Sequence, residues 1–474
     1  MTEQIEEKEF RKRLFVAVHA GAGFHSQDKA SEYKKLCRKA CLKAMSVLSK
    51  KESAVKAVTA AVSALEDSEL SNAGRGSSLT MTGSVECDAC VMEGTTSLFG
   101  AVGCLSGVLN PVKVAGRLLE MQQQPSLSLG RIPPSVLAGE GAREWAKQQV
   151  FSCDQHSKLV TDKSRRLYLK YKRKVEQAEN QKNTKKARYS DKEMLGSQEN
   201  DITICAQDSD QHSTAAHSTP RDSHTNSGNT PIDKNKHIKI LTKYLSPEAE
   251  TTPRKDVQIL DSPKTCTPRK TAPNNDRNKG ELELSSAVTA DRTLVQDTVG
   301  ALCVDWEGHV SAAVSSGGIW LKQPGRLGPA AMFGAACWAQ DAEKNHPGVA
   351  VIASGCGEHL MRTLLAKTCA DCMLSAEGTS EGLNVCFQKH FLESRLLKGV
   401  ESRQAGAVAI RMTSTEQGIP EIDICWGHTT DSMAVGYMSG DSHTPKTVIS
   451  RLSKGCHPGR SFAMAGDFFS SPDS

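Results

Sequence analysis

Apolar residues along the 474-residue chain fall in two dense blocks separated by a polar stretch. The first block, 14–150, opens on Leu14-Phe-Val-Ala-Val-His-Ala20, a short apolar run that ends in Gly21-Ala-Gly23 and predicts a strand. Leu36, Ala40, Ala44 and Leu48 then recur at intervals of four, and Val55, Val58, Val62 and Leu65 mark one face of a second helical pattern. Asn72-Ala-Gly-Arg-Gly76 is a turn cluster. Strands are predicted over 83–92 and 97–104, followed by a helix with Asn110 as N-cap and Pro111 in its first turn, and by another helix from Pro134. The second block, 298–469, predicts strands over 298–305 and 309–316 joined by a turn at Trp306-Glu-Gly308. A strand over Val349–Ser354 leads into a helix carrying Leu360, Leu364 and Leu365, and a helix over 379–397 precedes strands over 404–412, 420–426 and 432–439. Strands, then helices, then strands again in both blocks suit antiparallel hairpins with helices packed outside them better than a repeated βαβ array.

The stretch between the blocks changes the picture of domain count. Residues 191–290 hold 25 hydrophobic residues in 100, against 38% for the whole chain, and seven of its 18 prolines. Such a segment buries too little apolar surface to offset its ordering entropy, so a low-complexity disordered insertion is expected there. Just before it, 151–190 carries 12 Lys/Arg against four Asp/Glu and is expected to be helical. The chain's net charge of +5 therefore belongs to that segment, and the rest is slightly acidic. Residues 1–13 and 470–474 are expected to be flexible ends. No run of 18 apolar residues occurs, which argues against a membrane partner, and the charged Met1–Arg13 lacks the apolar core of a signal peptide. A cytosolic or nuclear protein follows, with its 16 cysteines mostly reduced.

Several chemistries can be set aside. Cys87/Cys90 and Cys369/Cys372 are two CxxC pairs, but they lie far apart, the first pair points to opposite faces of a strand, and the second has no histidine nearby. They are expected to be small buried side chains rather than zinc ligands, and no metal is expected. Gly355-Cys-Gly357 and Gly21-Ala-Gly23 follow strands, yet a dinucleotide fingerprint needs a third glycine where Leu360 and Ser26 stand. No cofactor is expected. Backbone N–H groups at such turns equally suit a carboxylate or an oxyanion. His19 is expected to be a core or turn histidine.

The sharper feature is Leu294-Val-Gln-Asp297-Thr298-Val-Gly300, where a strand begins at a threonine directly after an aspartate. If the Asp297–Thr298 bond is cut, Thr298 supplies both a hydroxyl nucleophile and, in its α-amine, a base with an ordinary pKa near about 8. By itself such a tetrapeptide is usually a strand entry. It gains weight from company: Val18-His-Ala-Gly-Ala-Gly23; Ser71-Asn-Ala-Gly-Arg-Gly-Ser77; Val85-Glu-Cys-Asp-Ala-Cys-Val-Met-Glu-Gly94; Gly130-Arg-Ile-Pro-Pro134; Ala313-Val-Ser-Ser-Gly-Gly318; Pro324-Gly-Arg-Leu-Gly328; and Ser354-Gly-Cys-Gly-Glu358. On these motifs the chain resembles the type 2 asparaginase family of N-terminal-nucleophile (Ntn) hydrolases. Gly-Arg-Ile-Pro-Pro, Ser-Gly-Cys-Gly-Glu-His and His428-Thr-Thr-Asp-Ser make it most similar to the threonine aspartase branch.

The resemblance implies an α+β fold, a four-layer αββα Ntn-hydrolase sandwich interrupted by a long disordered, partly helical insertion, with 14–150 as its first half and 298–469 as its second. It implies Thr298 as nucleophile and Asp297–Thr298 as the self-cleaved bond. Ser316 matches a hydroxyl that bonds the nucleophile, and Asn72 a polar residue beside it. Ser354 and Gly355 match the oxyanion hole, Gly21 a glycine close to the nucleophile, and Arg326 a carboxylate-binding arginine. Small-molecule members carry an aspartate three residues after this arginine to hold a free α-amine, where this chain has Pro329. That departure implies an endopeptidase cleaving after aspartate, with protein substrates such as mixed-lineage-leukaemia-type methyltransferases and the transcription factor IIA precursor. The fragments are expected to pair as (αβ)2. Arg165, Arg166, Lys170, Lys172, Arg173 and Lys174, then Lys185, Lys186 and Arg188, form two basic clusters of bipartite nuclear-localisation type. A nuclear import receptor is the partner they imply, with a nuclear and partly cytoplasmic location; the sparse aromatics argue against direct nucleic-acid binding. The alternatives are an isoaspartyl peptidase or L-asparaginase of the same fold, and an inactive nuclear adaptor.

Overall fold

The computed structural model describes residues 9–124, 126–196, 298–344, 346–414 and 420–469, without the side chains of 184–196 and 414. Asp297, 470–474 and nearly all of the 191–290 stretch lie outside the described residues. The chain divides into two units, Met1–Ala187 with Glu283–Ser474, and Arg188–Leu282, of which only 188–196 are described. The first unit is a mixed α/β structure.

Its strands are β1 (Phe15–Gly23), β2 (Cys87–Glu93), β3 (Phe99–Leu105), β4 (Val136–Ala138), β5 (Val299–Val304), β6 (Val310–Ser316), β7 (Cys337–Gln340), β8 (Gly348–Gly355), β9 (Ala405–Ser414), β10 (Pro420–His428), β11 (Ser432–Ser439), β12 (Lys446–Arg451) and β13 (Ala463–Phe469). Eight form one sheet in the order β12-β11-β1-β5-β6-β2-β3-β4, and five form a second in the order β13-β10-β9-β8-β7. All pairs are antiparallel except β3 with β4. The two sequence blocks interleave: β1, from the first, lies between β11 and β5, from the second. The large sheet therefore draws its strands from both blocks, whereas the five-stranded sheet comes wholly from the second.

The apolar runs are continuous because both faces of the large sheet are covered. On β5, Leu302 and Val304 face the second sheet, in a core with Val351, Ile352 and Val408. Val299, Ala301 and Cys303 face the other way, onto helices Ala30–Leu48, Ala54–Glu66 and Pro111–Gln122. Leu36, Ala40, Ala44 and Leu48 are buried at their predicted spacing of four. Ser53 caps the next helix, accepting from Lys56 N at 3.4 Å. Helices Leu365–Ser375 and Thr379–Val385 cover the second sheet.

Some expectations are corrected. Asn110 stands at the N-cap and Pro111 in the first turn as expected, but the Asn110 side chain makes no capping bond: its amide donates to Asp67 at 3.0 Å and its oxygen accepts from Lys113 at 3.0 Å. The helix expected from Pro134 starts at Gly139, because Val136–Ala138 first pairs with β3. The helix carrying Leu360 breaks at Leu364, which has a left-handed φ of 44°. The 379–397 helix is α only to Val385 and continues as a π turn over Cys386–Leu392. The basic segment is helical from Asp162, in helix Asp162–Gly196, which runs past its end. No helix among the described residues is long and apolar enough to cross a membrane.

Candidate active site

Strand register brings the first group of predicted residues together. In β1 against β5, Ala20 pairs with Val299 and His19 with Gly300, which places Gly21 at the level of Thr298. In β5 against β6, Val299 pairs with Ser315, which places Ser316 on its other side. Side chains alternate along a strand. Thr298 and Ser316 therefore share the parity of Leu302 and Val314, which face the second sheet. Ser354 comes from that facing sheet, at the end of β8. Its Oγ accepts from Thr298 N at 3.2 Å and from Ala22 N at 3.1 Å. Gly21 has φ 101°, a region that favours glycine.

Asn72 ties the neighbouring turn. Its amide donates to Gly318 O at 2.8 Å and its oxygen accepts from Ser78 N at 2.7 Å. Ser316 Oγ accepts from Gly318 N at 3.0 Å. Gly355 has φ 135°, and a Cβ there would come within 2.6 Å of the Ala405 backbone. Asn72, Thr298, Ser316, Arg326, Pro329 and Gly355 all line one cavity of about 10 Å³, room for about one water molecule. Across Asn72 lies a cavity of about 100 Å³ lined by Tyr33, Tyr168, Tyr171 and Trp320. Tyr171 and Trp320 pack with ring centroids 4.4 Å apart.

Arg326 reaches the cavity from a loop anchored by acids on and beside β2. Glu86 accepts from Gly325 N at 2.9 Å and Asp88 from Gly328 N at 2.7 Å. Lys322, almost wholly buried, donates to Glu86 O at 2.7 Å. Burial raises the Asp88 carboxyl, against the opposing pull of Lys322. Arg326 Nε and Nη2 donate to Glu358 Oε1 at 3.1 and 2.6 Å.

Sequence reasoning read His19 as a core or turn histidine and passed over the roles of Asp88 and Glu358. His19 is fully buried on β1 beside β5, and burial pushes its ring down to about 3. Its Nδ1 accepts from Gly21 N at 3.4 Å; its Nε2 has no hydrogen bond among the described residues, and the Thr298 backbone opposes the effect of burial on the ring. A Cβ on Gly300 would come within 2.7 Å of that Nε2, so Gly300 makes room for the ring. Asp88 and Glu358 were visible only as motif letters. Their roles come from loops 240 and 32 residues away, a separation that carries no local periodicity.

The basic clusters stand apart from this site. Arg165, Arg166, Lys170, Arg173 and Lys174 are exposed on helix Asp162–Gly196. Lys172 donates to Tyr168 Oη at 3.0 Å. Lys185, Lys186 and Arg188 lie on the same helix, outside the described side chains. Among the described residues there is no group of three His, Cys, Asp or Glu arranged to hold a metal.

The sequence profile of the Asparaginase family matches residues 12–225 and 242–447. A Xenopus laevis isoaspartyl peptidase/L-asparaginase is 35% identical over 155 residues, 33% of this chain and 47% of that protein. A Salmonella typhimurium isoaspartyl peptidase is 26% identical over 360 residues, 75% of this chain and 77% of that protein. A Pyrococcus furiosus plant-type L-asparaginase is 39% identical over 137 residues, 29% of this chain and 41% of that protein. The chain thus spans about half the length of the frog relative and less of the archaeal one.

Proposed function

The chain belongs to the Asparaginase family of Ntn hydrolases, and we propose that it is a threonine aspartase: an endopeptidase that frees Thr298 by self-cleavage and then cuts protein substrates after aspartate. In the first step the Thr298 hydroxyl oxygen bonds to the Asp297 carbonyl carbon while the C–N bond breaks. The hydroxyl proton passes to the nitrogen, and water hydrolyses the resulting ester. The freed amine stays where Thr298 N now bonds Ser354 Oγ. From there it takes the hydroxyl proton as Thr298 attacks a substrate carbonyl, and delivers it to the leaving amine. Water then hydrolyses the acyl ester. Gly355 N–H is the backbone donor assigned to the oxyanion, and Ser316 and Asn72 hold the turn beside the nucleophile.

The observation that carries the endopeptidase reading is the charge inside the pocket. Arg326 is the one ionisable side chain among the described residues lining it, and Pro329, also in the lining, stands at the sequence position where the resemblance gives small-molecule members an acid for a free α-amine. An internal aspartate presents a carboxylate and no free amine, so it matches this lining. Free asparagine leaves an ammonium without a counter-charge. The aromatic cavity across Asn72 offers surface for residues flanking a peptide aspartate. The runner-up, an isoaspartyl peptidase or L-asparaginase, is favoured by the names of the relatives.

This reading carries with it an (αβ)2 assembly, nuclear substrates among transcription regulators, and nuclear import through the exposed basic helix. The matured protein should be offered aspartyl peptides, β-aspartyl dipeptides and free asparagine in parallel. Cleavage after aspartate with asparagine turned over at least about 100-fold less efficiently is the expected result. The reverse ranking transfers the assignment to the runner-up. A chain that stays intact under native conditions, by mass spectrometry, leaves the inactive adaptor.

A further inference from the structure

A guanidinium offers a carboxylate two usable edges. In Arg326 the side edge, Nε with Nη2, is taken by a single oxygen of Glu358, at 3.1 and 2.6 Å. The remaining nitrogen, Nη1, is buried and has no hydrogen bond among the described residues. Three glycines clear the slot in which the group lies. A Cβ on Gly328 would come within 2.8 Å of Nη1, one on Gly318 within 3.2 Å of Nη1, and one on Gly357 within 2.5 Å of Nη2. The guanidinium is thus clamped on one edge and left with an unsatisfied buried donor, in a residue that lines the same cavity as Thr298. Glu358 itself is outside that lining and half-exposed.

We propose that Glu358 is a positioning residue that sets the length of acidic side chain the enzyme accepts. By tying Nε and Nη2, it fixes how far Nη1 stands from the Thr298 hydroxyl. A carboxylate one methylene from the backbone then reaches Nη1 while its own carbonyl lies at the nucleophile. A glutamate, one methylene longer, must displace the guanidinium, and the clamp resists this. Rejection of one extra methylene by a rigid pocket is worth about 10- to 200-fold. The inference rests on the proposed reading that Arg326 holds the substrate aspartate.

The test uses matured full-length enzyme and paired peptides differing only in aspartate or glutamate before the cut. In Glu358→Gln the charge of the clamp is gone but its shape is kept. The expected result is a KM for the aspartyl peptide raised about tenfold with kcat within about twofold, and an aspartate-over-glutamate preference reduced about tenfold. Glu358→Ala should move both readouts in the same direction and further. If the alanine variant does not mature, the glutamine variant decides alone. A mature Glu358→Gln enzyme with unchanged KM and unchanged preference overturns the inference while leaving the proposed function standing. A variant whose kcat falls with no change in preference also overturns it, because that pattern marks a general structural role. A wild-type enzyme that ignores the aspartyl peptide but hydrolyses asparagine overturns the proposed function instead.

Discussion

The two walls of the pocket are held by different forces. On the wall of the proposed nucleophile, Gly21 and Ser316 sit on β1 and β6 and Thr298 directly precedes β5 between them, placed by backbone pairing and by side-chain parity. The contacts among them are neutral: hydroxyls, amides and a buried histidine whose ring is kept uncharged. On the arginine wall, Arg326 stands on a loop tied by the carboxylates of Glu86, Asp88 and Glu358. A wall placed by a ladder of backbone bonds moves only if the sheet moves. A wall placed by a few charged side chains can be repositioned by single substitutions. The proposed nucleophile is thus held by the sheet, and the proposed carboxylate end is where single substitutions can change specificity.

The largest effect expected from this contrast is at Thr298. Thr298→Val keeps the strand's shape and removes the hydroxyl, so self-cleavage and peptide turnover should both fall by at least about 10⁴-fold. Intact-mass spectrometry should find one chain where the wild type gives two. Thr298→Ser should retain part of both activities. Substantial processing in the valine variant would break the assignment of that wall.

Arg326→Lys should be milder and of a different kind. A lysine keeps the charge but not the two-nitrogen fork, nor the hold on Glu358. Losing one charge-assisted hydrogen bond of about 1.5–3 kcal/mol should raise KM for aspartyl peptides by roughly 10- to 100-fold. Because the strand wall is untouched, kcat should fall far less than KM rises. Equal losses in kcat and kcat/KM would mean that the arginine also places the nucleophile, and the contrast between the walls would collapse.

The same contrast explains what could be read in the sequence. The strands of that wall were legible as apolar runs, and β5 and β6 lie within a residue of the predicted 298–305 and 309–316; the roles expected of Gly21, Thr298 and Ser316 came from the family resemblance. Strand β12 was not seen, nor were β7 and β13. β12 and β13 carry half-exposed or exposed residues along most of their length and lie at sheet edges, so they lack a sharp alternation. β7 is four residues long at the opposite edge. Asn110 had the residue type of a cap, but Asp67 and Lys113 claim its side chain. On the arginine wall the sequence supplied Arg326 and the absence of an acid at Pro329. The guanidinium bonds Glu358, 32 residues on and beyond β7 and β8, and no pattern of spacing announces that.

Behind the strand wall, a buried carboxyl gives the smallest and most specific expectation. Glu66 Oε1 accepts from Val112 N at 3.0 Å, while Oε2 has no hydrogen bond of normal geometry and faces Ser315, the neighbour of Ser316. Burial pushes this carboxyl up to about 8, so it is uncharged in the folded protein at neutral pH. The unfolded chain gives up the proton above its ordinary value of 4.5, whereas the fold keeps it. Stability from this group is therefore complete below 4.5 and is lost as pH rises through about 8. The buried histidines act from the other side. His19, at about 3, and His25 and His428, at about 4, are held neutral by burial, so their contribution is present above 6.5 and lost as pH falls below it. Glu66→Gln fixes the uncharged form and should leave the acid limb unchanged. Its melting temperature relative to wild type should climb from pH 4.5 to 8 and then level off. A difference that stays flat across that range would mean Glu66 is already ionised in the fold, and that the nucleophile wall carries a buried charge after all.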